Sequence, residues 1–201
     1  MKHFFVVLLL FVLFFLPCRS QTLMNQMDFE ICEKIVYLDS MEFFSSKQNW
    51  EAFDSMTNIV KINGIIEIPL KDNVLIFEDD TTDAGYFEHF VIGEKDNWIV
   101  VMGQDYHKEY YYLINKITCK IDTLVGYPLI FHNLLLCVEG SYTDGTGYIE
   151  LWKIKRNKAK LIKKFSLRYC KYPAGCCGEA YLKDDFFYWE FSKEKYMKIK
   201  I

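Results

Sequence analysis

From Ile59 to the C-terminus the chain repeats one motif. A short run of aromatic and β-branched residues is followed by a turn signal, at intervals of about 8–12 residues. The turn signals are Asp83-Ala84-Gly85, Lys95-Asp96-Asn97, Asp144-Gly145-Thr146-Gly147, Pro173-Ala174-Gly175 and Lys183-Asp184-Asp185. Connections this short suit antiparallel neighbours, because a parallel pair needs a crossover of about a dozen residues or more. The pattern predicts a mainly β protein, an antiparallel meander over residues 58–201. Strands are expected at Val74–Phe77, Tyr86–Ile92, Trp98–Met102, Tyr110–Ile114, Lys120–Leu124, Leu129–Phe131 and Leu134–Val138. The series continues with Tyr148–Ile154, Leu161–Phe165, Ala180–Leu182, Phe186–Phe191 and Tyr196–Ile201.

Asn63-Gly64 separates Ile59–Ile62 from Ile65–Ile68. Asn-Gly is the favoured pair for a two-residue hairpin, since both positions tolerate positive φ. In that register both faces of the hairpin are mostly apolar. It is therefore expected to be covered on two sides, or to turn through a longer loop. Residues 21–57 read differently, with little Gly or Pro. Two short helices are expected there: one over about Asp28–Leu38, the other from Ser45 through Trp50 and Phe53. Ser45-Ser46-Lys47-Gln48 has capping-box spacing. Glu33–Leu38 suits a strand equally well.

Residues 1–20 have the make-up of an export signal: Lys2 near the start, an unbroken apolar run from Phe4 to Leu16, then Pro17-Cys18-Arg19-Ser20. The run is shorter than the roughly 20 apolar residues of a membrane span. Cleavage is expected before Gln21, giving a secreted or periplasmic chain with no further membrane segment. Cys18 admits lipid attachment, although Phe15 and Pro17 occupy positions where a lipoprotein signal has Leu and a small residue.

Removing residues 1–20 takes away Lys2, Arg19 and no acid, so the net charge moves from −3 to about −5. That balance argues against nucleic acid as a partner. The basic run Lys153–Lys164 reads as a solvated hairpin face. Six cysteines remain: Cys32, Cys119, Cys137, Cys170, Cys176 and Cys177. Cys119 and Cys137 fall within apolar strand patterns and read as small buried residues. Cys170 with Cys176 or Cys177 is the candidate disulfide, in a turn-rich stretch.

No zincin, nucleophile-elbow or dinucleotide motif occurs, so no catalytic, cofactor or metal residue is assigned. Read from Asp79, the acidic loop Glu78-Asp79-Asp80-Thr81-Thr82-Asp83 is followed by Ala84 at the glycine position of an EF-hand and by Phe90 at the twelfth, glutamate position; read from Asp80, Ala84 and Val91 stand at the fifth and twelfth ligand positions. The loop reads as a turn, with a looser calcium site as the alternative. Asp105-Tyr106-His107 is the best-equipped polar cluster. His89 reads as a strand residue and His132 as a turn residue. Aromatics make up 17% of the chain and are assigned mainly to the core. Alternation sets Tyr111 on the face opposite Tyr110 and Tyr112.

A loose internal repeat is also present. Tyr110–Leu124 reads strand, turn, strand; Tyr148–Ile162 repeats it about 38 residues on, and Phe186–Ile201 gives a third copy. These hairpins resemble those that link one blade to the next in β-propellers of the WD40 and kelch kind. Leu151-Trp152-Lys153 has the blade-end Trp without the following Asp, and no Gly-His pair precedes it. The resemblance implies propeller-like blades; stacked sheets are the alternative. As a whole the chain also resembles short exported proteins of AT-rich bacteria. The functional expectation is a binding or structural module with a protein or glycan partner. The alternative is a small secreted hydrolase built on carboxylates such as Asp79, Asp105 and Glu139.

Overall fold

The computed structural model describes residues 35–53, 57–82, 85–139, 148–166 and 179–200. The export signal, Cys32, Cys170, Cys176, Cys177 and Asp83 lie outside them. The described chain opens with β1 (Ile35–Leu38), α1 (Ser40–Ser46) and β2 (Glu51–Ala52). Four antiparallel sheets then follow in chain order. The first holds β3 (Lys61–Ile62), β4 (Ile65–Pro69) and β5 (Val74–Glu78). The second holds β6 (Glu88–Lys95), β7 (Trp98–Gln104), β8 (Glu109–Asn115) and β9 (Ile121–Leu124). The third holds β10 (Tyr127–Phe131), β11 (Leu134–Glu139), β12 (Tyr148–Lys155) and β13 (Lys158–Ser166), with β2 added beside β10. The fourth holds β14 (Ala180–Lys183), β15 (Phe186–Ser192) and β16 (Lys195–Lys200), with β1 added beside β16. Among the described residues no sheet closes on itself.

The sheets pack face to face in the order of the chain. Ile66 and Ile68 of the first meet Ile99, Val101 and Ile114 of the second. Val100 and Leu113, on the opposite face of the second, meet Leu135, Cys137 and Trp152 of the third. Leu136, Ile149 and Leu151 of the third meet Leu182, Phe187 and Trp189 of the fourth. Successive strand residues point to opposite faces, so a strand covered on both sides must be apolar throughout. That is why Trp98–Val101 has no polar position and is buried at every residue. The outer face of the fourth sheet carries Tyr181, Tyr188 and Tyr196, and α1 places Phe43 against them.

The N-terminal elements differ from the expected helices. The described part of Asp28–Leu38 is β1, which pairs Ile35 with Ile199 and Leu38 with Tyr196. The helix starts at Asp39 and ends where one was expected to begin. Asp39 Oδ1 accepts the Glu42 N–H at 2.7 Å, and Asp39-Ser40-Met41-Glu42 is itself a capping-box sequence. The Ser45 hydroxyl turns back to the Glu42 carbonyl instead of capping a new helix. The chain beyond it runs extended into β2.

Asn63 and Gly64 adopt φ of 51° and 79°, and Ile62 pairs with Ile65, so the hairpin turns in two residues. Neither expected consequence of that register follows. Ile66 and Ile68 on one face are fully buried, whereas Ile62, Val74 and Ile76 on the other are 66%, 52% and 57% exposed. The three repeated hairpins each lie inside one sheet, as β8–β9, β12–β13 and β15–β16, and do not link neighbouring sheets. Lys153–Lys164 forms the exposed β12–β13 hairpin. Cys137 is buried as expected, but Cys119 sits at a positive φ of 58° in the β8–β9 turn. Among the described residues no helix is long and apolar enough to cross a membrane.

Candidate functional site

The Asp105-Tyr106-His107 cluster forms the β7–β8 turn. Asp105 Oδ1 accepts the backbone N–H groups of His107 and Lys108, both at 2.7 Å, and Oδ2 accepts the Tyr110 hydroxyl at 3.0 Å. These contacts hold the Asp105 carboxyl below its usual pKa, with the His107 N–H first among them. Every oxygen is thus committed to shaping the turn. Tyr106 stacks on Tyr86 at 4.7 Å, and His107 is exposed.

The other candidate carboxylates are similarly engaged. Glu139 sits 3.5 Å from the Lys108 ammonium. Asp80 Oδ1 accepts both the N–H and the hydroxyl of Thr82. Asp79 is buried between the first two sheets, where it pairs with Lys61, accepts the His89 N–H at 2.8 Å and lies 3.5 Å from His89 Nδ1. Burial raises the cost of charge on Asp79. The Lys61 hydrogen bond, the His89 N–H and the Lys61 charge together outweigh it and lower the Asp79 pKa. Burial lowers the pKa of His89. This cluster ties β3 and β5 to β6, and no sequence pattern announced it, because Lys61 stands in an apolar hairpin. Glu150 is a second buried acid that the sequence did not reveal. It accepts from Lys164 at 2.8 Å, the Trp152 indole at 3.0 Å and the Val125 N–H at 3.2 Å.

A cleft of about 590 Å³ is the strongest candidate site. It opens where β8, β10 and β14 begin and β11 and β15 end. Trp50, Tyr111, Tyr127 and Trp189 supply aromatic walls, and Lys47, Gln48 and Glu179 supply polar groups. The segment following α1 forms one side. Trp50 is held there by its indole N–H on the Leu182 carbonyl at 3.3 Å and by ring contact with Phe131 at 5.4 Å. The Lys47 ammonium meets Glu179 Oε1 at 2.6 Å across the cleft wall. Tyr111 and Tyr127 meet edge to face at 6.0 Å. Burial pushes the Tyr127 phenol pKa up, so it is a neutral hydroxyl at physiological pH. Gly126 brings Tyr127 to this rim: a side chain there would overlap the Val138 carbonyl on β11. The volume falls within the usual range of small-ligand sites. Flat rings with a few fixed donors and acceptors suit a ligand that has both apolar faces and hydroxyl edges. Sequence reasoning missed the cleft because its walls come from positions scattered between 50 and 189.

No family model, curated protein or solved structure matches the chain.

Proposed function

We propose that the chain is an exported binding module that holds a glycan in the aromatic cleft. The cleft itself carries this reading. Tyr and Trp rings offer apolar faces to the C–H faces of a sugar, with a polar edge to hydrogen-bond its hydroxyls. Gln48, Lys47 and Glu179 add donors and acceptors along the same wall. Export rests on the make-up of residues 1–20. The four sheets are read as blade-like units of an open, propeller-like array. In support, they follow one another in chain order, and β1 completes the last sheet from the other end of the chain. The hydrolase alternative lacks comparable support, since Asp79, Asp105 and Glu139 are each held by different partners and none of them lines the aromatic cleft.

A glycan array probed with residues 21–201 tests the reading, followed by titration of tryptophan fluorescence with any bound sugar. Tyr127→Ala should weaken binding about tenfold or more, which is 1.4 kcal/mol or more, with the thermal midpoint little changed. No binding across the array, or full binding by the variant, would overturn the glycan assignment. N-terminal sequencing of protein recovered outside the cytoplasm should begin at Gln21; an intact Met1 chain there would refute cleavage.

A further inference from the structure

The opposite end of the sheets holds a second cavity, of about 540 Å³. Three two-residue hairpin turns meet there: Asp96-Asn97 between β6 and β7, His132-Asn133 between β10 and β11, and Arg156-Asn157 between β12 and β13. The second residue of each is Asn. The turns are tied to one another and to the sheets. Asn97 Nδ2 donates to Asn157 Oδ1 at 3.3 Å, the Trp98 indole N–H donates to the Arg156 carbonyl at 3.3 Å, and the Ile154 N–H donates to the Asn133 carbonyl at 2.7 Å. Rim and floor are thus built as one unit from the second and third sheets.

The floor is apolar. Phe53, Trp98, Ile130 and Ile154 line it, and all four are buried. The rim is charged and polar, with Lys95, His132, Asn133 and Arg156 against the single lining acid Asp96. Lys95 is engaged by Glu51 at 2.8 Å. No carboxylate pairs with the Arg156 guanidinium among the described residues. A guanidinium matches a carboxylate or phosphate through two parallel N–H donors. Arg156 lines the cavity together with His132 and Asn133, and the buried Trp98 lines its floor. We propose that this cavity is a second ligand site that takes a small organic anion, with a planar apolar ring on the Trp98–Ile130–Ile154 floor and a phosphate or carboxylate against Arg156 and His132.

The site shares no lining residue with the aromatic cleft, so each stands or falls alone. The probe is phenyl phosphate, with phenol and inorganic phosphate as its two halves, titrated into ¹⁵N-labelled residues 21–201 and followed by NMR. Phenyl phosphate should shift the Trp98 indole N–H and the Asn97, Asn133 and Asn157 side-chain amides. Each half alone should bind about tenfold more weakly or worse. Arg156→Gln should weaken phenyl phosphate about tenfold, and Arg156→Lys should restore part of the loss. Arg156 is exposed, so both variants should keep the spectrum of the folded chain. No shift at these resonances would overturn the proposal. So would an unchanged affinity in Arg156→Gln, equal binding of inorganic phosphate, or shifts confined to the Trp50 and Tyr127 signals of the cleft.

Discussion

At one end of the stack the fourth sheet turns Tyr181, Tyr188 and Tyr196 outward, and α1 lays Phe43 across them. At the other end the first sheet turns Ile62, Val74 and Ile76 outward, and they remain more than half exposed. Both sheets alternate apolar residues on two faces, so the strands alone do not distinguish the covered face from the open one. The difference is made by seven residues of helix. A helix that short is not stable by itself. It holds through the Asp39 cap, through Phe43 stacked on Tyr196 at 4.6 Å, and through the Tyr181 hydroxyl on the Phe43 carbonyl. Among the described residues the first sheet has no such cover. It is fixed by its inner face and by the buried Lys61–Asp79–His89 cluster.

The largest expected effect is at the covered end. Phe43→Ala should destabilise the protein by about 3–5 kcal/mol in urea unfolding, the usual range for emptying a buried aromatic site. A loss under about 1 kcal/mol would mean that α1 contributes little and that the two ends are alike. At the open end, Lys61→Met leaves the Asp79 carboxylate, 4% exposed, without its cation. Breaking a buried pair in this way costs about 3 kcal/mol, and amide exchange should quicken first in β3–β5. Equal quickening in β14–β16 would break the comparison.

Acid should have a smaller, graded effect at the same place. The lowered pKa of Asp79 gives stability that is complete above its unfolded value of about 3.9 and is lost as pH falls through the folded value. His89 has the same sign. Burial favours its neutral ring, so its contribution fades as pH drops below about 6.5, where the unfolded state takes up the proton first. Hydrogen exchange in β3–β5 should therefore rise with acid before that of the fourth sheet; the reverse order would refute the assignment. The smallest effect is expected for Ile76→Ser, within about 0.5 kcal/mol. A loss of 2 kcal/mol or more would show that the outer face of the first sheet is covered in solution.

The strands were readable in the sequence because aromatic and β-branched runs alternate with turn residues, and Asn63-Gly64 marked its hairpin to the residue. The helix was readable but missed: Asp39-Ser40-Met41-Glu42 carries the cap, and Ser45-Ser46-Lys47-Gln48 competes with it in the sequence. The cleft was not readable, because Trp50, Tyr111, Tyr127 and Trp189 meet only through sheet packing. Nor was Glu150, whose partners Trp152 and Lys164 come together only when β12 pairs with β13. Asp105-Tyr106-His107 drew notice as a polar cluster, and its polarity is used to build a turn.

The pairing of β1 with β16 also fixes an order in time. Most strands of the four sheets find partners across short hairpins and can pair soon after they are made. β1 must wait for a partner about 160 residues further along the chain. The entropy of closing so large a loop grows only with the logarithm of its length, so the pairing is inexpensive once both strands exist. During synthesis, however, β1 has no partner until β16 has been made. The fourth sheet is thus the last to be completed. Any change that delays β16 leaves β1 with an unpaired strand edge, through which β-rich chains join one another and aggregate.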